Sequence, residues 1–176
     1  MGILVDSAQS VLIQNCSITG FTGDGVTYSP SSGPSDLNII GVTVADNGGN
    51  GITVAPGGGS GMTAYINDVH TQGNSIGVLI SGNVNATVTF GAANNGTGIE
   101  ATGASAVVMV TSARASNNTG SGLLSDSNAT MYVDRVQASG NALGWQVTNG
   151  GVMKSYGDNE INGNTTDTTM PKISEE

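Results

Sequence analysis

Apolar residues return along this chain in short alternating sets, each opened by a glycine. They read Gly2-Ile3-Leu4-Val5, Gly25-Val26-Thr27-Tyr28, Gly51-Ile52-Thr53-Val54 and Gly77-Val78-Leu79-Ile80, then Gly98-Ile99-Glu100-Ala101, Gly122-Leu123-Leu124-Ser125 and Gly144-Trp145-Gln146-Val147. Successive glycines lie 23, 26, 26, 21, 24 and 22 residues apart. A period of two means a strand with one face turned inward, so each glycine opens a short strand. A second apolar column follows later in each repeat: Cys16, Val42, Val69, Phe90, Ala113 and Val136, with Ile18, Val44, Thr71, Ala92, Ala115 and Ala138 two residues on. Three residues before that column stand Ile13, Ile39, Ile66, Val110 and Val133, while the fourth repeat matches loosely and the seventh slips near Lys154.

A polar column completes the pattern. Asn47, Asn74, Asn95, Asn118, Asn141 and Asn159 are expected at one bend, with Phe21 in the first repeat. Stacked asparagines can bond side chain to side chain between coils, and Asn tolerates left-handed backbone. No single repeat can bury its apolar side alone, so the repeats must stack. The pattern therefore predicts an all-β chain: a right-handed parallel β-helix of about seven coils with three short strands each. The hand follows from the strong right-handed preference of parallel crossovers.

The segment Val11-Leu12-Ile13-Gln14-Asn15-Cys16-Ser17-Ile18 resembles the pectate-lyase-like pattern, in which Asn sits at a tight turn between the second and third strands. The Gly-Ile-x-Val stretches and residues 155–164 are similar to uncharacterised bacterial right-handed β-helix repeat proteins. The resemblance spans nearly the whole chain and specifies fold, not chemistry. It implies further coils before residue 1, making this chain a C-terminal portion, and enzymes of the fold that act on polysaccharide along the first sheet. The expected division is a β-helix over 1–167 and a polar tail over 168–176.

Composition narrows the partners. The 176 residues carry a formal net charge of −9, with four Lys and Arg against thirteen Asp and Glu. Arg114, Arg135, Lys154 and Lys172 cannot form the basic stripe a nucleic acid requires, and an anionic membrane surface is disfavoured for the same reason. The first ten residues lack the basic segment of a signal peptide. An extracellular or surface location is expected if the chain belongs to a longer protein. Cys16 falls on an inward column and reads as a small core hydrophobe.

Two constellations bear on chemistry. Glu100 and Asp126 lie on the outer side of neighbouring first strands, roughly 8 Å apart on ideal strand geometry. An inverting glycosidase holds its two carboxyl groups about 6.5–9.5 Å apart. The polygalacturonase-type signatures are missing, as is the calcium-binding carboxylate cluster of a pectate lyase, and no cofactor or metal is expected. His70 and Arg114 share an outward column with Gly91 between them, and Asp68 and Arg135 occupy the adjoining turn. That cluster is a candidate for receiving a carboxylated sugar. Two longer loops, residues 29–36 and 56–61, are candidate binding insertions. The expectation is a non-catalytic β-helix module, carbohydrate-contacting or structural. The alternatives are a polysaccharide hydrolase using Glu100 and Asp126, and an oligomerising fragment of a larger rod. Self-association is expected through the N-terminal coil, residues 2–24, near Ile3, Val5 and Phe21.

Overall fold

The glycine-led strands stack in register. Ile3 pairs with Val26, then come Ile52, Val78, Ile99, Leu123 and Trp145, all in parallel. The computed structural model describes residues 1–31, 35–57 and 61–173, and among them there is no helix. The chain is a parallel β-solenoid of about seven turns. Its first face holds strands Ile3–Val5, Val26–Tyr28, Ile52–Val54, Ile76–Ser81, Thr97–Thr102, Ser121–Asp126 and Leu143–Val147. The second face starts with Ser10–Gln14 and Ser35–Ile40 and ends with Val107–Thr111, Thr130–Asp134 and Val152–Ser155. The third runs from Ser17–Thr19 and Thr43–Ala45 to Arg114–Ser116, Gln137–Ser139 and Glu160–Ile161. Three strands per coil hold except in coils three and four. There Met62–Gln72 and Val84–Ala93 run unbroken across the second and third faces and join them.

Side chains on the inward columns meet in one continuous core. Val26, Ile52, Ile66, Val78, Ile99, Val110 and Leu123 are fully buried. The asparagine ladder lies at the bend between the third and first faces, and its members from Asn47 to Asn141 are buried. Asn118 shows the unit. Its Oδ1 accepts the Asn95 backbone N–H at 2.9 Å, and its Nδ2 donates to Asn141 Oδ1 at 2.8 Å and to the Ala92 carbonyl. In the first coil the Phe21 backbone N–H donates to Asn47 Oδ1, the same main-chain bond that the ladder residues of later coils make. The glycines that open the first-face strands leave room for this close stacking. A Cβ on Gly98 would lie 2.4 Å from the Gly122 carbonyl oxygen and 3.0 Å from Asn118 Nδ2.

One expected ladder member is wrong. Asn159 sits in the second apolar column, since Gln137 pairs with Glu160, and the ladder continues instead through Asn164. Asn141 donates to Asn164 Oδ1 from its backbone N–H at 2.9 Å and from Nδ2 at 2.8 Å. Lys154 pairs with Tyr132 on the second face, so the second apolar column of the last coil lies five residues further on, at Asn159; the bend between them also gains one residue, since Val133 pairs with Ser155, 22 residues on, and Gln137 with Glu160, 23 residues on. Asn159 fills an apolar site by bonding to the Val133 carbonyl, Ser155 Oγ and the Val136 N–H. Thr53, on an outward column, is also buried; its hydroxyl donates to Asp24 Oδ2 at 2.8 Å and accepts from Asn50.

Residues 168–173 lie against the last coil. Trp145 Nε1 donates to the Thr168 carbonyl, Ser155 exchanges backbone bonds with Pro171 and Ile173, and Met170 is buried. At the other end Ile3 and Val5 are half-buried, while Leu4 and Phe21 are exposed.

Candidate functional site: a groove on the third face

Five coils turn from the second to the third face through one residue with left-handed backbone. Asn15, Gly41, Asp68, Ser112 and Arg135 hold that place with φ between 48° and 64°. Coil four omits it. Val88 pairs with Ile66, but two residues later Phe90 already pairs with Val69, and the register shifts between Thr89 and Phe90. The chain there runs flat while Asp68 stands out on one side and Ser112 on the other. On the same coil Gly91 leaves the outward column without a side chain between His70 and Arg114, which its register joins. The result is a groove of about 910 Å³ lined by Asp68, His70, Phe90, Gly91, Arg114 and Arg135 among others.

The groove brings together the three residues expected from the sequence. The His70 ring leans over Gly91, with Nδ1 3.3 Å from where a Gly91 Cβ would stand. Neither the His70 nor the Arg114 side chain has a hydrogen-bond or ion-pair partner among the described residues. Arg135 is spoken for in part: its guanidinium meets Asp134 Oδ2 at 3.0 Å and Thr111 Oγ1 at 3.2 Å, with its side chain mostly exposed. Arg114 therefore supplies the available planar fork, a geometry suited to a carboxylate. Gln137, next in the column after Arg114, donates to Glu160. Two of the four Lys and Arg and the sole histidine of a chain with net charge −9 thus face one recess. Phe90 and the missing bend residue were not anticipated as parts of a site; the short 21-residue interval was their signal.

Glu100 and Asp126 are also neighbours, on the first face. Thr102 pairs with Asp126 and Glu100 with Leu124, so the two carboxyls occupy adjacent coils. Glu100 stands between Leu79 and Leu124 in its column, and burial, then the Asp126 charge, raises its pKa above the ordinary value. Asp126 is lowered to about 2, chiefly by the hydrogen bond from Thr148 and then that from Ser127, with Asn149 adding to them. Both its oxygens are engaged: Thr148 Oγ1 at 2.6 Å and Asn149 Nδ2 at 2.7 Å on Oδ1, and Ser127 Oγ at 2.7 Å on Oδ2. Such a carboxylate ties the turn of coil six to that of coil seven. It is a weak general base at neutral pH, because its pKa lies far below the working range.

Cys16 is half-buried at its inward position. Of the two candidate loops, residues 32–34 and 58–60 lie outside the described residues. Among the described residues no group of three or more His, Cys, Asp or Glu side chains is placed to hold a metal ion. Compared with protein-family profiles, curated proteins and solved structures, the chain matches none of them.

Proposed function

We propose that this chain is a non-catalytic β-solenoid module that holds an acidic polysaccharide in the groove of its third face. The observation that carries the reading is the omitted bend of coil four, which opens a recess beside the unpartnered His70 and Arg114. A sugar carboxylate would take the Arg114 fork, with the Phe90 and Gly91 surface beneath the ring. The resemblance to bacterial pectate-lyase-like β-helix proteins belongs to the same proposal and supports a carbohydrate ligand by analogy of fold only. A glycan array of carboxylated, esterified and neutral polysaccharides tests it. Wild-type protein is expected to retain the carboxylated members, and Arg114→Gln is expected to lose them by about tenfold or more, the loss of one charge-assisted pair. Retention of all three classes alike, or retention unaffected by Arg114→Gln, would remove the reading.

A second reading, hydrolysis by Glu100 and Asp126, draws on their opposite shifts, the pattern of an acid paired with a base. Release of reducing ends from an acidic polysaccharide, abolished by Glu100→Gln, would favour it over the binding module. The hydrogen bonds that fill both Asp126 oxygens favour the module.

A further inference from the structure

The C-terminal end of the solenoid holds a second recess, on different residues from the groove. The last coil presents Trp145, Val147 and Met153 along the end of the core, and Pro171–Ile173 crosses beside them. Between these lies a space of about 380 Å³ whose rim carries both lysines of the protein, Lys154 and Lys172. That size falls within the range of small-molecule sites, roughly 300–1,000 Å³. Its edge is wet where the same column of an earlier coil is dry: Val147 is 41% exposed, whereas its counterpart Ile80 is 0%.

The lysines decide what fits. Lys154 lies 5.8 Å from the Tyr132 ring centroid, and Lys172 extends toward Gly157. Neither has a carboxylate partner among the described residues. Covering the recess with the end of a second copy would bury these cations without counter-charges, and a two-fold contact would set like charges against one another. A ligand with an apolar body and one carboxylate meets both demands, its chain on the indole and aliphatic floor and its anion at the rim that carries the lysines. We propose that this recess binds a small amphipathic carboxylate of the medium-chain fatty acid or aryl acid class. The site is independent of the groove and of its polysaccharide.

Trp145 is the only tryptophan, so its emission reports directly on the recess. The full chain is titrated with octanoate and, separately, with octanol. Octanoate is expected to shift Trp145 emission to the blue and to saturate. Octanol, lacking the charge, is expected to bind about tenfold or more weakly, as loss of a charge-assisted contact would give. Lys154→Gln combined with Lys172→Gln should weaken octanoate by a similar factor and leave octanol unchanged. Both lysines are exposed, so the circular-dichroism spectrum of the variant should match wild type. Unchanged emission with octanoate would overturn the proposal, as would equal affinity for octanol or an unaltered octanoate affinity in the lysine variant. A ligand-independent dimer in light scattering, with Trp145 already shielded, would assign the recess to a second copy and overturn it equally.

Discussion

The two bends that enclose the third face are built in opposite ways. From the second apolar column to the ladder position the chain takes five residues in every coil: 16 to 21, 42 to 47, 69 to 74, 90 to 95, 113 to 118, 136 to 141 and 159 to 164. At the other bend the count changes. It is three residues from Ile13 to Cys16 and from Val110 to Ala113, two from Val88 to Phe90 and four from Ser155 to Asn159. The difference lies in what each bend contacts. The ladder bend is buried, and every asparagine satisfies main-chain and side-chain groups of the coil above or below. A length change there would strand several buried donors and acceptors at once. The outer bend is one left-handed residue whose side chain faces water, and Asn, Gly, Asp, Ser and Arg all serve. Because little rests on it, this bend is where a residue can be dropped to open a groove.

Deleting Asn117 is the harshest test of this contrast. It shortens the ladder bend of coil five by one and pulls Asn118 away from Asn95 and Asn141, so loss of any cooperative thermal transition is expected. A clear transition near that of wild type would break the comparison. Asn118→Ala keeps the length and removes only the amide. It should cost about 2–3 kcal/mol, since it leaves the Asn95 N–H and the Ala92 carbonyl short of partners. For a chain of this size that corresponds to roughly 4–12 °C in Tm. At the outer bend, Ser112→Gly exchanges one left-handed residue for another with no buried bond at stake. Its effect should stay within about 0.5 kcal/mol, because relief of the left-handed strain and the added unfolded-state freedom oppose each other. Denaturant midpoints of the two variants, measured side by side, give the ratio directly.

The smallest expected effect is in the pH profile. The folded-state pKa of Glu100 is raised above its ordinary 4.5, so above that pH the folded chain holds more protons than the unfolded one. Its contribution to stability therefore falls as pH rises through the window just above 4.5. Asp126 works the other way. Lowered from 3.8 to about 2, it stabilises the fold above about pH 4, and that contribution is lost as pH falls from there toward 2. Glu100→Gln should flatten the descending limb and leave the acid limb in place. Tm measured from pH 2 to 8 checks both signs.

Much of this was legible in the sequence, for a physical reason. Inward positions such as Ile66 and Val110 must be apolar, and ladder positions must be amides, so stacking writes itself into the chain as columns. Where chemistry replaces shape, the columns fail. Asn159 occupies an apolar site because Ser155 Oγ and two backbone groups satisfy it, and counting from Lys154 misplaced the ladder by five residues. Thr53 alternates with the inward Ile52 and Val54, so the period of two turns it outward, yet its bond to Asp24 holds it under cover. The column of His70, Gly91 and Arg114 could be read from register. That it lines a groove could not, because the depth comes from a residue that coil four lacks, which shows in the sequence only as one short interval.

Restoring that residue tests the central claim. One glycine inserted between Thr89 and Phe90 gives coil four the bend of its neighbours, at a site where length varies and at an expected cost of no more than about 1 kcal/mol. Calorimetric titration of wild type and the insertion variant with a carboxylated oligosaccharide is the measurement. Wild type is expected to bind saturably, and the variant to unfold cooperatively near the wild-type temperature but no longer to bind. Equal binding by the two proteins, or a wild type that ignores the carboxylated sugar, would contradict that claim.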